Sequence, residues 1–99
     1  MLNIAKTIDG DQVRIAPEGD LDTITSPEFE TELKNSLDGA ASLTLDLEKL
    51  DYISSAGLRV LLVAQKIMNR QGEMKVVHVN EAIMEIFEVT GFSDILNIE

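Results

Sequence analysis

Leu43-Thr44-Leu45-Asp46-Leu47-Glu48-Lys49-Leu50-Asp51-Tyr52-Ile53-Ser54-Ser55-Ala56-Gly57-Leu58 changes its hydrophobic period part-way along. Leu43, Leu45 and Leu47 alternate with Thr44, Asp46 and Glu48, the pattern of a strand with one covered face. From Leu58 to Gln71 the apolar residues recur at helical spacing instead. Ser54-Ser55-Ala56-Gly57-Leu58 therefore stands where a strand-like run, Leu43 to Ile53, gives way to a helix. A hydroxyl at that point lies among unpaired backbone N–H groups and at the positive end of the helix dipole. Such a place carries a phosphate at low local cost. The spacing points to a protein whose binding is switched by phosphorylation on Ser55.

The rest of the chain extends the strand–helix pattern in both directions. Leu2, Ile4, Lys6 and Ile8 fit a strand, Asp9-Gly10 a turn, and Val13-Arg14-Ile15 a second strand, so residues 2 to 16 read as a hairpin. Glu18-Gly19-Asp20-Leu21-Asp22 reads as a polar loop. Thr25-Ser26-Pro27-Glu28 opens a helix, with Ser26 as cap before Pro27, or with Thr25 and Glu28 as a capping box. Phe29, Leu33 and Leu37 give that helix one apolar stripe, and Gly39 closes it. Met74 to Val79 is a strand, Asn80 caps a helix carrying Ile83, Ile86 and Phe87, and Gly91 stops it. Ile95-Leu96-Asn97-Ile98 reads as a short last strand. The order is β-β-α-β-α-β-α-β. It predicts an α/β fold, one domain over residues 1–99, with about three helices on a mixed, largely parallel sheet of four or five strands.

Composition narrows the function. Ninety-nine residues suit a single core, and the absence of cysteine excludes disulfides, thiolate catalysis and cysteine metal sites. No apolar run approaches the roughly 20 residues of a membrane span, and the first residues do not form a signal peptide. A cytoplasmic protein without membrane insertion is expected. The formal net charge of −10, with lysines and arginines scattered, makes nucleic acid and anionic membrane poor partners.

Winding residues 55 to 71 at about 100° per residue, with Leu58 at zero, predicts how the helix lies. Val60, Leu61, Val63, Ala64, Ile67 and Met68 fall in an arc from about 140° to 300°, read as the core stripe. Ser55, Leu58, Arg59, Leu62 and Lys66 fall opposite it. The pair Leu58 and Leu62 beside a serine, ringed by polar residues, has the composition of a partner surface.

Enzyme chemistry finds little support. His78 is the single histidine, and a hydrolase elbow needs glycine two residues before the serine, where Ile53 stands. Asp9 with Asp11, or Asp20 with Asp22, lacks the ladder of a calcium loop, and no phosphate-binding glycine pattern occurs. Neither a catalytic group nor a metal site nor a cofactor is expected.

The stretch from Leu45 to Leu58 resembles the STAS domain of bacterial anti-sigma factor antagonists, as do Gly19-Asp20-Leu21-Asp22, Gly72-Glu73-Met74 and Phe87-Glu88-Val89-Thr90-Gly91-Phe92. The resemblance covers nearly the whole chain. It implies that Ser55, two residues before the motif glycine Gly57, accepts phosphate from an anti-sigma factor that is a serine kinase of ATPase fold. The unphosphorylated antagonist would bind that factor and free a sigma factor, and a PP2C-type phosphatase would reset it. Asp22 would lie near the acceptor and help to engage the kinase, with Ser54, Leu58, Arg59, Leu62 and Lys66 on the partner surface. Many family members carry Asp-Ser-Ser-Gly; here Ser54 replaces the aspartate and Ala56 the second serine, which leaves Ser54 as a second candidate acceptor. The family also includes constitutive scaffolds, such as subunits of lipid-transport ATPase complexes, without a phosphoryl cycle.

Overall fold

The computed structural model describes residues 2–99. The expected hairpin forms and runs further than the sequence suggests. Strand β1 (Leu2–Asp9) pairs antiparallel with β2 (Gln12–Leu21) from Asp9↔Gln12 to Leu2↔Gly19. Glu18-Gly19-Asp20-Leu21, expected as a loop, is the end of β2. The reason is pairing on both sides: Gly19 faces Leu2 in β1, while Gly19, Asp20 and Leu21 are partnered by Leu50, Tyr52 and Ile53. Backbone groups satisfied in this way hold a polar, glycine-bearing segment in the sheet.

The run from Leu43 to Ile53 is one extended path in two pieces. Strands β3 (Ser42–Asp46) and β4 (Leu50–Ile53) both lie parallel to β2, end to end along it, with Ile15↔Leu45 in the first and Leu21↔Ile53 in the second. A turn closed by Leu50 N–H donating to Leu47 O (3.1 Å) separates them. Strand β5 (Glu73–Val77) pairs parallel with β3. The sheet thus has five strands in the order β1-β2-β3-β5, with β4 beside the end of β2. With β3 and β4 taken as one path, the element order is the expected one as far as α3, and the expected last strand at Ile95–Ile98 is not formed. The last segment contributes a single bridge, Val76↔Ile98, after a short 3-10 turn at Phe92–Asp94.

Helices α1 (Ser26–Ser36), α2 (Ser55–Gln71) and α3 (Glu81–Thr90) cover one face of this sheet. Val13, Ile15, Leu43, Leu45, Met74 and Val76 point to that face and are buried with Phe29 and Leu33 of α1, Leu61 and Met68 of α2, and Ile83 and Phe87 of α3. The opposite face, with Arg14, Glu73 and Lys75, is open to water. No helix among the described residues is long and apolar enough to cross a membrane.

Asn80 caps α3 as expected: its Oδ1 accepts from Ile83 N–H (2.9 Å), while its side-chain amide donates to Leu50 O (2.9 Å) and ties the helix to the first residue of β4. Gly91 ends the helix at φ 83. The expected cap of α1 is not made. Thr25 occupies the N-cap position without a side-chain cap, and Ser26 Oγ is buried and unpartnered. Thr25 Oγ1 is engaged instead with Asp22 and Asp20, so neither the serine cap nor the capping box forms.

At the far end of α2, Gln71 Nε2 donates to Leu37 O (2.6 Å) and Ala40 O (2.7 Å), fastening the helix to the end of α1. Gly72 follows, packed so closely on Ala41 that a Cβ there would overlap the Ala41 carbonyl. Because that obstacle is backbone, it yields only by moving β3 or the end of α2. Gly72→Ala is expected to cost about 1–3 kcal/mol, the usual range for overpacking, read as a lower urea midpoint. An unchanged midpoint would show that this approach is not structurally required.

Candidate functional site

Two neighbouring strand ends build the site. Leu21, the last residue of β2, pairs with Ile53, the last of β4, and Ser54 N–H donates to Leu21 O (2.9 Å). The chain leaves β2 through the loop holding Asp22 toward α1, and leaves β4 through Ser54 into α2. Gly57, in the first turn of α2, is buried against these ends. A Cβ on it would stand 2.8–2.9 Å from the side chains of Ile53 and Leu21 and from Leu21 O. The glycine lets the helix begin directly on the sheet edge.

Ser54 and Ser55 have different tasks as a result. Ser54 is extended (φ −96, ψ 177) and is the N-cap: its Oγ accepts from Gly57 N–H at 3.4 Å and its carbonyl accepts from Leu58 N–H at 2.9 Å. Ser55 is the first helical residue and is exposed, and no side-chain hydrogen bond engages its hydroxyl among the described residues. Ser54 is half-buried and committed to the cap; Ser55 is free for modification.

Asp22 is held just as firmly. Its Oδ1 accepts from the N–H groups of Ile24 and Thr25, both at 2.9 Å, and Asp22 N–H donates to Thr25 Oγ1 (2.9 Å). Thr25 Oγ1 in turn donates to Asp20 O (2.8 Å). The Thr25 N–H is the main reason that the Asp22 carboxyl lies below its ordinary value of 3.8; desolvation opposes this, and the Ile24 N–H adds to it. The loop thus holds its carboxylate charged beside the start of α2.

Ser55, Arg59 and Lys66 share the exposed side of α2, as the spacing predicts, and Leu62 is half-buried at its margin. Leu58 does not belong there. It is 7 % exposed and part of the core. The buried arc of α2 consists of Gly57, Leu58, Val60, Leu61, Ala64, Gln65 and Met68. It is turned about 60° from the expected stripe at 100° per residue. Docking of Gly57 on Leu21 and Ile53 turns it, bringing its neighbour Leu58 inward. Gln65, polar by type, is carried into the buried arc: its amide N–H donates to Asn69 Oδ1 (2.9 Å), while its Oε1 is buried without a partner among the described residues. Val63 and Ile67, expected within the core stripe on its side away from Leu58, are left half-buried at its edge.

Two apolar side chains at the same sheet end had no signal in the helical wheel. Ile24, in the Asp22 loop, is 86 % exposed, and Tyr52, paired with Asp20, is 50 % exposed. Their sequence signals are slight: an isoleucine between threonines in a loop, and a tyrosine that breaks the alternation of β4. The arrangement offers an exposed hydroxyl, a fixed carboxylate, two cations on one helix face and a margin of apolar side chains.

Comparison with known proteins bears on the fold and on the sequence as a whole. The family model described as STAS domain matches residues 3–99. The chain is 40% identical over 83 residues to the protein of Bordetella bronchiseptica named "putative anti-sigma factor antagonist BtrV", covering 82% of this chain and 72% of that protein. It is 30% identical over 99 residues to the anti-sigma-B factor antagonist of Staphylococcus aureus, covering 98% and 92%. The fold matches that of the anti-sigma factor antagonist SpoIIAA in its unphosphorylated form, with a TM-score of 0.82 at 13% identity over 100% of this chain and 88% of that one. It also matches the phosphorylated form of SpoIIAA from Bacillus, with a TM-score of 0.74 at 13% identity over 100% and 91%. The chain belongs to the STAS domain family.

The two serines and Asp22 are separable by experiment. Ser54→Ala should lower stability by about 1 kcal/mol, the usual cost of losing an N-cap, whereas Ser55→Ala should stay within about 0.5 kcal/mol of the parent, both by urea unfolding. Equal effects would contradict the assigned roles. Asp22 should titrate below 3.8 in a carboxyl NMR titration, and Thr25→Pro, which deletes the main N–H donor, should raise it. Since a lowered pKa favours the folded state when the group is ionised, this contribution is complete above the unfolded value and is lost as pH falls through the folded one. An Asp22 titrating at or above 3.8 would contradict the arrangement.

Proposed function

We propose that this chain is a cytoplasmic anti-sigma factor antagonist whose partner binding is switched by phosphorylation on Ser55. In the unphosphorylated state it binds an anti-sigma factor that is also a serine kinase of ATPase fold, and so frees a sigma factor. A PP2C-type phosphatase removes the phosphate. The observation that carries this reading is the division of labour at the start of α2: Ser54 is spent on the cap and Ser55 is exposed in the first turn. The antagonist names of the relatives at 40% and 30% identity support the same reading.

The docking surface consists of Ser55, Arg59, Leu62 and Lys66 on α2, Asp22 and Ile24 in the neighbouring loop, and Tyr52 on β4. A phosphate brings about −1.5 to −2 charges. The dipole of α2 offsets roughly 0.3–1 kcal/mol of its local cost, and Arg59, one turn on, lies at the spacing of an intrahelical ion pair. The fold therefore tolerates the modification. A partner seated over Leu62 and Ile24 does not, because it would have to desolvate the dianion beside Asp22. Loss of a few kcal/mol at such an interface lowers affinity by orders of magnitude.

Incubation with ATP and the cognate kinase, followed by mass spectrometry, should place one phosphate on Ser55 and none on the Ser55→Ala variant. Label on Ser54, or undiminished label on Ser55→Ala, would refute the acceptor. In pull-downs from the source cell, Ser55→Asp and Leu62→Arg should each lose the kinase that the parent retains. Retention by Ser55→Asp would indicate a constitutive scaffold.

A further inference from the structure

A second cluster lies at the end of β3, away from the start of α2. Asp46 ends β3, Glu48 stands in the following turn, and His78 comes directly after β5. The pairing of β3 with β5 as far as Asp46↔Val77 brings these distant positions together. His78 Nδ1 is 3.0 Å from Asp46 Oδ1 and 3.8 Å from Glu48 Oε1. One ligand atom from each residue lies within 4.8 Å of the others. Ligand atoms around a tetrahedral zinc ion, with bonds of about 2.0–2.2 Å, stand roughly 3.3–3.6 Å apart, and the two separations bracket that range.

The surroundings suit a metal ion as well as an ion pair. Arg14 Nη2 donates to the other Asp46 oxygen, Oδ2, at 2.7 Å and fixes the carboxylate so that Oδ1 faces His78. A partner of this kind orients a metal ligand from outside the coordination sphere. A surface cavity of about 150 Å³, lined by Ala16, Glu18, Asp46, Glu48 and Lys49, opens beside the carboxylates and leaves room for water. His78 is 55 % exposed, so an ion reaches it from solvent.

We propose that Asp46, Glu48 and His78 form a binding site for a divalent transition-metal ion of the zinc type. Asp46 Oδ1, Glu48 Oε1 and His78 Nδ1 are the ligands, and water takes the open position. The metal takes the neutral ring in the tautomer with its hydrogen on Nε2, so that the Nδ1 lone pair is given to the ion in place of the contact with Asp46 Oδ1. The imidazole selects zinc, nickel or copper over magnesium and calcium. The site does not depend on the phosphoryl switch, and its test reads neither kinase nor partner.

The test titrates the untagged chain with Zn²⁺ alone and follows the imidazole protons by NMR. His78 is the only histidine, so the signal belongs to one residue. Its ring resonances should move and saturate at one Zn²⁺ per chain, and the same concentration of Mg²⁺ should leave them in place. By calorimetry, His78→Asn and Glu48→Gln should each weaken Zn²⁺ binding more than about tenfold. Asparagine suits the replacement because His78 has φ 57, a region asparagine tolerates. Circular dichroism checks that both variants fold. Absence of Zn²⁺ binding, binding that leaves the ring unmoved, or binding undiminished in His78→Asn would overturn the proposal; the last two would assign uptake to scattered carboxylates.

Discussion

The contact of Gly57 with Leu21 and Ile53 governs the rest of the architecture around the site. Where a side chain would collide at 2.8–2.9 Å, the bare glycine lets the first turn of α2 rest on the ends of β2 and β4. Three consequences come from that one approach. Ser54 is left extended, with its hydroxyl directed to Gly57 N–H as the cap. Ser55 becomes the first helical residue and faces water. Leu58 is drawn into the core, which sets the rotation of the whole helix. The other end of α2 is secured in the same manner, by Gly72 against Ala41 and by the two hydrogen bonds of Gln71.

On the proposed function, stability and switching divide between two layers. The sheet and its covered face supply stability, with Ile15, Leu45, Leu61, Val76 and Phe87 fully buried. The rim at the ends of β2 and β4, with the exposed side of α2 that leads away from it, contributes little to the core and presents polar and apolar groups: Ser55, Asp22, Ile24 and Tyr52 at the rim, Arg59 and Lys66 along the helix. In the proposed switch, a charge added to that rim would change what can bind without opening the interior. A surface switch of this kind needs no large conformational change, only a dianion that a partner must desolvate.

The features set by local chemistry were legible in the sequence. Asn80 and Gly91 as the caps of α3, the alternation of β3, and the boundary at Ser54-Ser55 follow from side-chain preferences within a few residues. What the sequence hid was set at long range. The polar end of β2 is strand because it is paired on both sides. The burial of Leu58 depends on a glycine contact with two other elements. Thr25 looks like a helix cap, but its hydroxyl closes the Asp22 loop. The meeting of Asp46 and Glu48 with His78 depends on the β3–β5 register and has no motif spacing.

The most direct test of a switch that acts on the surface and not on the fold is a paired measurement on the Ser55-phosphorylated chain. Its thermal unfolding midpoint and its affinity for the anti-sigma factor kinase are compared with those of the unphosphorylated chain. The account predicts midpoints within a few degrees of one another and an affinity lowered by orders of magnitude. Unfolding of the phosphorylated chain at the working temperature, or retention of the partner with its affinity unchanged, would contradict it.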